Sequence, residues 1–318
     1  MLIGIIKETT PDENRVAITP EVVKKLTSNG IHITIEKNAG IKAGFSDDEY
    51  LLKGANLCDS PQQICHDCNV LFKIWAPSSQ ECSWLANSPL VIADFRRADN
   101  FSCHTFRAFA LNKIPRTSRA QNMDILSSQN NLAGYKAALL AINSCSRCSP
   151  MMITSAGTLP PLKILIFGLG VAGLQAAATA KRLGAKVYVS DIRPETKEQA
   201  LSVGAFFLDS ISDYSDYDII ITCAGAFPDA PTIINSSIFA SVPHQTFLLD
   251  ISGNIDISIS SPNIRREYNL PSQIANSASQ LFANNIYNFF CFIYDFPSQN
   301  FNFNFQDEII NATYLGER

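Results

Sequence analysis

The feature that most constrains the fold of this chain is a set of three glycines between an apolar strand and a helix. Gly168, Gly170 and Gly173 follow the segment KILIF and open the segment VAGLQAAATAKRLG. Glycine permits a tight turn and lets the N–H groups of a helix N-terminus approach a pyrophosphate closely. An acidic residue, Asp191, ends the next strand 18 residues after Gly173, near the spacing of about 20 residues expected in such units. The context predicts a dinucleotide-binding Rossmann domain; the alternative is that the glycines only pack helix against strand.

Asp191, at the end of the strand that follows the glycine loop, affects which dinucleotide can bind. The Asp191 carboxylate can accept hydrogen bonds from ribose hydroxyls and would repel a 2′-phosphate, which favours NAD(H) over NADP(H). Arg193 lies two residues further on and carries the opposite charge. The sequence therefore favours NAD(H) at this loop and leaves NADP(H) open.

Length and composition limit the classes of protein that remain. A chain of 318 residues suits two domains, because single cores tend to stop growing near about 250–300 residues. With 46% apolar and 17% charged residues, the chain has ample material for a core and is not disordered. The net charge of −4 argues against a nucleic-acid binder. The long uncharged run 164–180 contains the three glycines, so it is expected to form a strand, a turn and a helix rather than a membrane span. We therefore expect a soluble protein, which could still dock on a membrane-bound partner.

Short apolar runs alternate with helical stretches along the chain, which is typical of βαβ units and parallel sheets. We predict an α/β fold with two Rossmann-like, doubly wound parallel-sheet domains joined by two long helices, at about 127–143 and 276–290. The first domain comprises 1–126 completed by the C-terminal tail 291–318. The second, NAD(H)-binding domain comprises 127–290 and includes the connecting helices. Strands are expected at 2–6, 32–36, 69–75, 90–95, 163–167, 186–190, 219–223 and 247–251.

A polar loop at 115–124 precedes the first long helix. Three side chains of this loop and one just after it could converge on a cleft: Arg116, Gln121, Asp124 and Ser127. The alternative is a solvated loop in which Asp124 or Ser127 caps the helix N-terminus. The residue types alone do not choose between these two interpretations.

Cysteine and histidine provide no convincing metal or disulfide pattern. The nine cysteines are scattered and include two CxxC pairs, Cys65 with Cys68 and Cys145 with Cys148, too far apart for the usual zinc-ribbon spacing. We expect reduced thiols and no metal site. The histidines have no companions at ligand spacing and are expected to be surface or structural residues: His32, His66, His104 and His244.

The polar loop, the glycine loop and several other segments of the chain resemble the NAD(H)-binding domain of the proton-translocating NAD(P) transhydrogenase alpha subunit. This subunit belongs to the alanine dehydrogenase/transhydrogenase family. The resemblance runs through PRTSRAQNMDILSSQNNLAGYKAALLA and PMMITSAGTLPPLKILIFGLGVAGLQAAATAKRLGAKVYVSDIRPETKEQ. It extends to IGIIKETTPDENRVAITPEVVKKL near the start and to NLPSQIANSASQLFANNIYNF and DEIINAT near the end. The pattern RxxxxQxxDxxS beside this glycine loop is specific to that family.

The resemblance implies roles for individual residues. Gln121 would bond towards the nicotinamide ribose and the partner nucleotide, Arg116 to the carboxamide, and Asp124 and Ser127 to the ribose and the loop; these four form the implied catalytic set. The implied cofactor-binding set is Arg116, Thr117, Ser118, Arg119, Gln121, Asn122, Met123, Asp124, Gly168, Gly170, Val171, Ala172, Gly173, Asp191, Ile192, Arg193, Ala224 and Gly225.

The resemblance also implies the reaction and the partners. The family passes a hydride directly from NADH to NADP⁺ bound on a beta-subunit domain, the Re/Si-specific reaction, coupled to proton movement through a membrane subunit. Such a step needs two rings in contact and no acid or base side chain, which agrees with the lack of a convincing catalytic His or Lys dyad. A homodimer is implied as well, at a cytoplasmic position that is peripheral to the inner membrane through the partner subunits.

The sequence departs from the family at two places, the shortened stretches after VGAFFLDS and after LLDISGN, and two rival functions stay open. Family members carry a long insertion with a tyrosine after the segment that here reads VGAFFLDS, whereas only ISDYSDYD follows; the role of that tyrosine is not assigned to Tyr214 or Tyr217. One rival is alanine dehydrogenase, whose carboxylate-binding positions match Arg15 and Lys73, although its acid–base histidine is missing from VIADFRRAD. Because that histidine is missing, Arg15 and Lys73 are expected to be structural or ion-pair residues rather than ligands of pyruvate. The other rival is a non-catalytic NAD-binding or assembly subunit.

Overall fold

A computed structural model describes residues 1–85, 87–98, 106–225 and 230–316, and the chain divides into two compact units. Unit 1 consists of Met1–Gln129 and Ile274–Arg318, and unit 2 consists of Asn130–Gln273. The sequence-based boundaries were 126 and 290, so the second boundary differs by more than a helical turn. His104 lies outside the described residues.

The elements are numbered in chain order. The α-helices are α1 Pro20–Thr27, α2 Asp47–Leu52, α3 Pro61–Asp67, α4 Ser79–Cys82, α5 Ile125–Asn143, α6 Val171–Arg182, α7 Thr196–Ser202, α8 Ser236–Ser241, α9 Ala275–Ile293 and α10 Glu308–Thr313. The strands are β1 Leu2–Ile5, β2 His32–Glu36, β3 Asn56–Cys58, β4 Val70–Trp75, β5 Leu90–Asp94, β6 Arg107–Ala110, β7 Met152–Thr154, β8 Gly157–Leu159, β9 Lys163–Phe167, β10 Lys186–Ser190, β11 Phe206–Phe207, β12 Ile219–Thr222, β13 Phe247–Asp250, β14 Ile264–Arg266, β15 Tyr294–Asp295, β16 Asn300–Phe301 and β17 Tyr314–Leu315. Short 3-10 helices occur at Ile41–Ala43, Leu111–Lys113, Gln121–Met123 and Leu270–Ile274.

The sheet of unit 1 has seven strands in the order β17-β6-β5-β4-β1-β2-β3. The six N-terminal strands are parallel, and β17 joins β6 in the antiparallel direction. Read from β3, the parallel strands follow the order 3-2-1-4-5-6 of a doubly wound fold. All six residues of β4 are buried, as expected of a central parallel strand that is covered on both faces.

The sheet of unit 2 has six strands in the order β11-β10-β9-β12-β13-β14, and all neighbours are parallel. Counted within this sheet, the order is again 3-2-1-4-5-6. The strand order reverses between β9 and β12, where the carboxyl ends of parallel strands form the usual ligand crevice. The prediction of two Rossmann-like, doubly wound parallel sheets is confirmed.

Helix boundaries follow the local sequence signals. Pro20 occupies the first position of α1, where its missing N–H costs nothing, and Thr19 precedes it as N-cap without a side-chain hydrogen bond. At α2 a capping box forms: the Ser46 hydroxyl accepts from the Glu49 N–H, and the Glu49 carboxylate accepts from the Ser46 N–H. These contacts depend on residues three positions apart, so the sequence alone is sufficient to predict them.

The helix α9 supplies phenylalanine side chains to the core of unit 1. Phe289 and Phe290 are fully buried, and they pack edge-on against Phe109 and Phe72 with ring centroids 5.2 and 5.7 Å apart. This is why the observed boundary precedes α9, whereas the sequence assigned 276–290 to the second domain. Periodicity reveals an apolar helix face but does not say which core receives it.

Within the described ranges, the structure has no helix that is both long enough and apolar enough to span a membrane.

Candidate functional site

The three glycines of the predicted dinucleotide loop, Gly168, Gly170 and Gly173, have different structural roles. A Cβ atom on Gly173 would lie 1.8 Å from the carbonyl oxygen of Gly168, and one on Gly168, whose φ is +87°, would lie 2.6 Å from Cα of Ala224. Both positions therefore require glycine for packing, as the alternative interpretation holds. A Cβ on Gly170, in contrast, would meet no described atom within 4 Å. The space in front of Gly170 is open to a ligand.

Gly170 is also the N-cap of α6, which begins at Val171. Its backbone is extended, and its carbonyl accepts the first helical bond, from the Leu174 N–H at 2.9 Å. The first N–H groups of a helix have no partner inside it, and together with the helix dipole they attract anions. The open space at Gly170 thus faces the kind of backbone that binds a pyrophosphate.

Asp191 follows β10 and is held by four hydrogen bonds. Its Oδ2 accepts from the Leu169 N–H at 2.6 Å and from Arg193 Nη2 at 2.9 Å, and its Oδ1 accepts from Arg193 N and Nε at 2.9 and 3.0 Å. Burial alone would raise the pKa of Asp191, but the bonds from Arg193 and Leu169 outweigh it and lower the pKa to about 2. The carboxylate is therefore charged at neutral pH. Ile192, between the two, is 98% exposed.

The segment after β12 is fixed by an asparagine that the sequence analysis did not single out. Asn254 is fully buried; its Oδ1 accepts from the Ala224 N–H at 2.9 Å, and its Nδ2 donates to the carbonyls of Ala224 and Pro231, both at 2.8 Å. Gly225 follows with φ +75°, a conformation that favours glycine. One side chain thus positions the backbone beside Gly168.

Asp250, at the end of β13, is the second residue that the sequence analysis missed. It is fully buried, and its carboxylate accepts from the Thr222 hydroxyl and from the backbone N–H groups of the turn that follows: Ser252, Gly253, Asn254 and Ile255. A buried carboxylate is tolerated only when hydrogen bonds satisfy it. An aspartate that ends an apolar strand and precedes Ser-Gly-Asn was the available signal.

In unit 1, Asp124 caps the N-terminus of α5. Its Oδ1 accepts from the Ser127 N–H at 3.0 Å, and its Oδ2 accepts from the Ser127 hydroxyl at 2.5 Å. This is the N-cap arrangement that the alternative interpretation of the polar loop expects. The two residues therefore satisfy each other and fix the point where the loop becomes helix.

Three other predicted residues anchor the loop. Arg119 forms an ion pair with Asp307, with Nη2 and Oδ2 2.6 Å apart. The carbonyl of Asn122 accepts from Asn285 Nδ2 at 2.9 Å and from Asn288 Nδ2 at 3.0 Å. The Met123 side chain is buried in the core of unit 1. These contacts hold the loop to the C-terminal segment of unit 1.

The other predicted residues of the polar loop, together with Asp124 and Ser127, line a pocket of about 250 Å³. Its walls are formed by Pro115, Arg116, Thr117, Ser118, Gln121, Asp124 and Ser127. The side chains of Arg116 and Gln121 are exposed and make no hydrogen bond or ion pair with any segment of the chain that the structure describes. The buried Thr117 hydroxyl also has no hydrogen-bond partner there. Donors and acceptors without partners in a pocket are groups that a polar ligand can satisfy.

The two tyrosines near the shortened loop belong to a core. Tyr214 is buried with the apolar cluster of unit 2, and Tyr217 packs edge-on against Tyr188 with ring centroids 5.4 Å apart. Neither side chain is an exposed tyrosine on a long loop, which agrees with leaving that role unassigned.

The cations that match alanine dehydrogenase are paired with carboxylates of their own unit. Arg15 forms a bidentate pair with Glu13, with N–O distances of 2.8 and 2.7 Å. Lys73 lies 3.0 Å from Glu81 and 3.5 Å from Glu8. Burial by itself would lower the pKa of Lys73, but the two carboxylates outweigh it and raise the pKa. Both cations are buried, so the structure agrees with the expectation of ion-pair residues.

The cysteines of the described residues form no disulfide. Burial raises the pKa of the Cys65, Cys68 and Cys223 thiols to about 12, so these thiols are neutral near pH 7. A search of the described ranges of the chain finds no group of three or more His, Cys, Asp or Glu side chains that could hold a metal ion.

The fold and the glycine loop define an NAD-binding, dehydrogenase-like protein with two Rossmann-type units. Comparison with known families gives two matches, the alanine dehydrogenase/PNT N-terminal domain over residues 4–133 and the corresponding C-terminal domain over residues 137–315. The chain belongs to the alanine dehydrogenase/PNT family, and its high-coverage relatives are transhydrogenase alpha subunits.

The relatives match nearly the whole chain. An NAD(P) transhydrogenase alpha-subunit protein of Rhodospirillum rubrum is 34% identical over 98% of this chain and 95% of its own length. The protein of the same name from Rickettsia prowazekii is also 34% identical, over 98% and 93% of the two chains. A crystal structure of transhydrogenase from Sinorhizobium meliloti superposes with a TM-score of 0.90 at 35% identity, covering 99% of this chain and 98% of that one. The resemblance to the transhydrogenase alpha subunit is confirmed.

Proposed function

We propose that this chain is the NAD(H)-binding component of a proton-translocating NAD(P) transhydrogenase and that it passes a hydride from NADH directly to NADP⁺ on a partner beta subunit. The observation that carries the proposal is the pocket at 115–127, where Arg116, Gln121 and the Thr117 hydroxyl offer polar groups without partners in the described structure. Family membership and the names of the relatives, which are alpha subunits, support the same function.

The phosphate and adenosine end of NAD(H) is assigned to unit 2. The open space at Gly170 and the N–H groups at Val171, Ala172 and Gly173 suit a pyrophosphate. Asp191 would hold the adenosine ribose, and Ile192 and Arg193 would border it. Ala224 and Gly225, which Asn254 fixes beside Gly168, would border the same crevice.

The nicotinamide end is assigned to the polar loop of unit 1. Arg116 would donate to the carboxamide, and Gln121 would bond towards the nicotinamide ribose and the partner nucleotide. Thr117 and Ser118 supply hydroxyls to the same pocket. Asp124 and Ser127 shape the pocket through their mutual hydrogen bonds. Arg119, Asn122 and Met123 act by anchoring the loop.

The proposed chemistry needs positioning rather than proton transfer. When bound, NADH supplies the hydride and NADP⁺ on the partner subunit accepts it, so no proton is left for a side chain to take or give. The residues that line the pocket include no histidine, lysine or cysteine. The contribution of this chain is to orient one ring and to keep its reacting face accessible to the second.

The proposed reaction implies an assembly. The partners are a beta subunit with an NADP-binding domain and a membrane subunit, and the chain itself would form a homodimer. It would lie on the cytoplasmic side of the inner membrane, peripheral and bound through those subunits.

The rival functions are less well supported. Alanine dehydrogenase needs free cationic groups for the pyruvate carboxylate, whereas Arg15 and Lys73 are already paired with Glu13 and Glu81. A non-catalytic NAD-binding subunit would use the same glycine loop, but the relatives that match nearly the whole chain carry the name of a transhydrogenase.

The test is the substitution Gln121→Asn in the complex with the partner subunits. The shorter side chain keeps the amide but withdraws it by one methylene, so NADH affinity should stay within about twofold and hydride transfer should slow at least about tenfold. Binding is measured by titration of NADH fluorescence, and transfer is measured as reduction of a nicotinamide analogue of NAD⁺ by NADPH.

Gln80→Asn is the matched control, because Gln80 is exposed on α4 and does not line the pocket. It should leave both measurements unchanged. Unaltered hydride transfer in Gln121→Asn would remove the loop assignment. NADH binding by the unsubstituted complex without any turnover would contradict the enzyme proposal and favour the non-catalytic subunit.

A further inference from the structure

The Asp191 carboxylate has no acceptor position left for a ribose. A carboxylate offers about four lone-pair positions, and Asp191 accepts four hydrogen bonds at 2.6–3.0 Å, from Leu169 N, Arg193 N, Arg193 Nε and Arg193 Nη2. The side chain is only 6% exposed. A nucleotide that is to bond to Asp191 must first displace one of these donors.

The four donors differ in how easily they can leave. The Leu169 N–H belongs to the glycine turn, and the Arg193 N–H is fixed because the Thr196 hydroxyl donates to the Arg193 carbonyl at 2.7 Å at the start of α7. The Arg193 guanidinium, in contrast, is on a flexible side chain that is 49% exposed. It makes two of the four bonds, and a ribose diol offers two hydroxyls. The movable pair of donors and the ribose therefore compete for the same two acceptor positions.

We propose that the Arg193 guanidinium occupies the ribose position on Asp191 and must swing away for NAD(H) to bind, so that Arg193 sets the preference between NAD(H) and NADP(H). The proposal rests on the proposed NAD(H) site and deepens it. Once displaced, the guanidinium remains tethered two residues from Asp191, so it stays within reach of a 2′-phosphate on a ribose that is bound to this carboxylate.

The two dinucleotides should respond to Arg193 in opposite ways. For NAD(H), the guanidinium is only a competitor, and because it is 49% exposed, water can solvate it when the ribose displaces it. For NADP(H), the displaced guanidinium can form charge-assisted hydrogen bonds with the phosphate and offset the repulsion from Asp191. Arg193 therefore weakens NAD(H) binding and strengthens NADP(H) binding, which lowers the selectivity of the site.

The test is Arg193→Met in the full chain, with dissociation constants for NADH and NADPH measured by fluorescence titration. Methionine keeps a stem of similar length and removes all donors. The dissociation constant for NADH should fall about two- to fivefold, and that for NADPH should rise about tenfold. Arg182→Met is the matched control, since Arg182 is exposed at the far end of α6; it removes the same charge and should change neither constant by more than about 1.5-fold.

Opposite shifts of the two constants support the proposal. Weakening of both nucleotides would mean that Arg193 contacts the shared portion of the dinucleotide, and unchanged constants would mean that it does not compete; either result overturns the inference while the proposed function stands. Failure of the unsubstituted chain to bind NADH would overturn the proposed function together with this inference. Circular dichroism of each variant confirms that folding is intact.

Discussion

At the scale of single residues, the site depends on groups whose environments leave little freedom. Asp250 shows this most clearly: one carboxylate binds the Thr222 hydroxyl and four consecutive N–H groups of the turn at 252–255. The surroundings of a glycine can be equally restrictive: Gly173 has no room for a methyl group, whereas Gly170 does. The same residue type therefore serves packing at one position and ligand access at the other.

The two glycines should be separable by substitution with alanine. Gly173→Ala should lower the free energy of unfolding by about 3 kcal/mol, because the new methyl would lie 1.8 Å from the Gly168 carbonyl. Gly170→Ala should change stability by less than about 0.5 kcal/mol but raise the dissociation constant for NADH at least about tenfold, since the methyl stands where the pyrophosphate approaches. Urea unfolding and NADH titration measure the two effects. If Gly170→Ala binds NADH normally, the phosphate does not lie at this turn.

At the scale of whole elements, the long helix α9 has two roles in unit 1. One face of α9 fills the core with phenylalanine rings. Asn285 and Asn288 on the same helix donate to the Asn122 carbonyl and so hold the polar loop. The loop that presents Gln121 therefore depends on a helix more than 150 residues later in the chain for its position.

Truncating the core face of this helix should destabilise unit 1 strongly. Phe289→Ala should cost about 3–5 kcal/mol in the free energy of unfolding, because Phe289 is fully buried against Phe109. Leu281→Ala on the same helix is the control and should cost less than about 1 kcal/mol, since Leu281 is 39% exposed. Urea unfolding followed by circular dichroism measures both. Should Phe289→Ala not fold, Phe289→Leu should still show a loss of about 1 kcal/mol, and equal effects at 281 and 289 would contradict the packing.

At the scale of the molecule, the two units share one chemical property: each buries cysteine thiols in the neutral form. Cys65 and Cys68 lie in unit 1 and Cys223 in unit 2, and burial raises the pKa of each thiol to about 12 from the usual 9.0. Unfolding exposes these thiols to water, where they ionise near their usual pKa. Between about pH 9 and 12 the unfolded chain therefore holds fewer protons than the folded one, and stability falls as the pH rises.

This linkage predicts a measurable alkaline loss of stability. Between pH 8 and 10.5 the free energy of unfolding should fall by roughly 1–2 kcal/mol for each buried thiol, and the triple variant with Cys65→Ala, Cys68→Ala and Cys223→Ala should lose less over the same interval. Cys148→Ala is the control, because Cys148 is exposed, and it should keep the slope of the unsubstituted chain. Urea midpoints at the two pH values provide the measurement. Rapid labelling of all three thiols in the native protein at pH 8 would contradict the burial.

Much of the architecture could be predicted from local patterns. Apolar runs of four to six residues located the strands β2, β4, β9 and β10 to within one residue. These runs alternate with helical stretches along the chain, and both patterns can be recognised from neighbouring residues. The short edge strands β3, β11 and β14 were not predicted, since three residues or fewer carry little periodic signal. The connection between α9 and the core of unit 1 was also missed, because it joins residues far apart in the chain.

The sequence by itself determined the glycine loop, the acidic residue after β10, the polar loop before α5 and the family resemblance, because each depends on residues near one another in the chain. Only the tertiary structure decided that Asn254 holds Ala224 beside Gly168, that Asp250 is bonded to Thr222, and that Asn285 and Asn288 hold the Asn122 carbonyl. Side chains choose their partners among all groups that folding brings within about 3 Å, and sequence spacing does not record that choice.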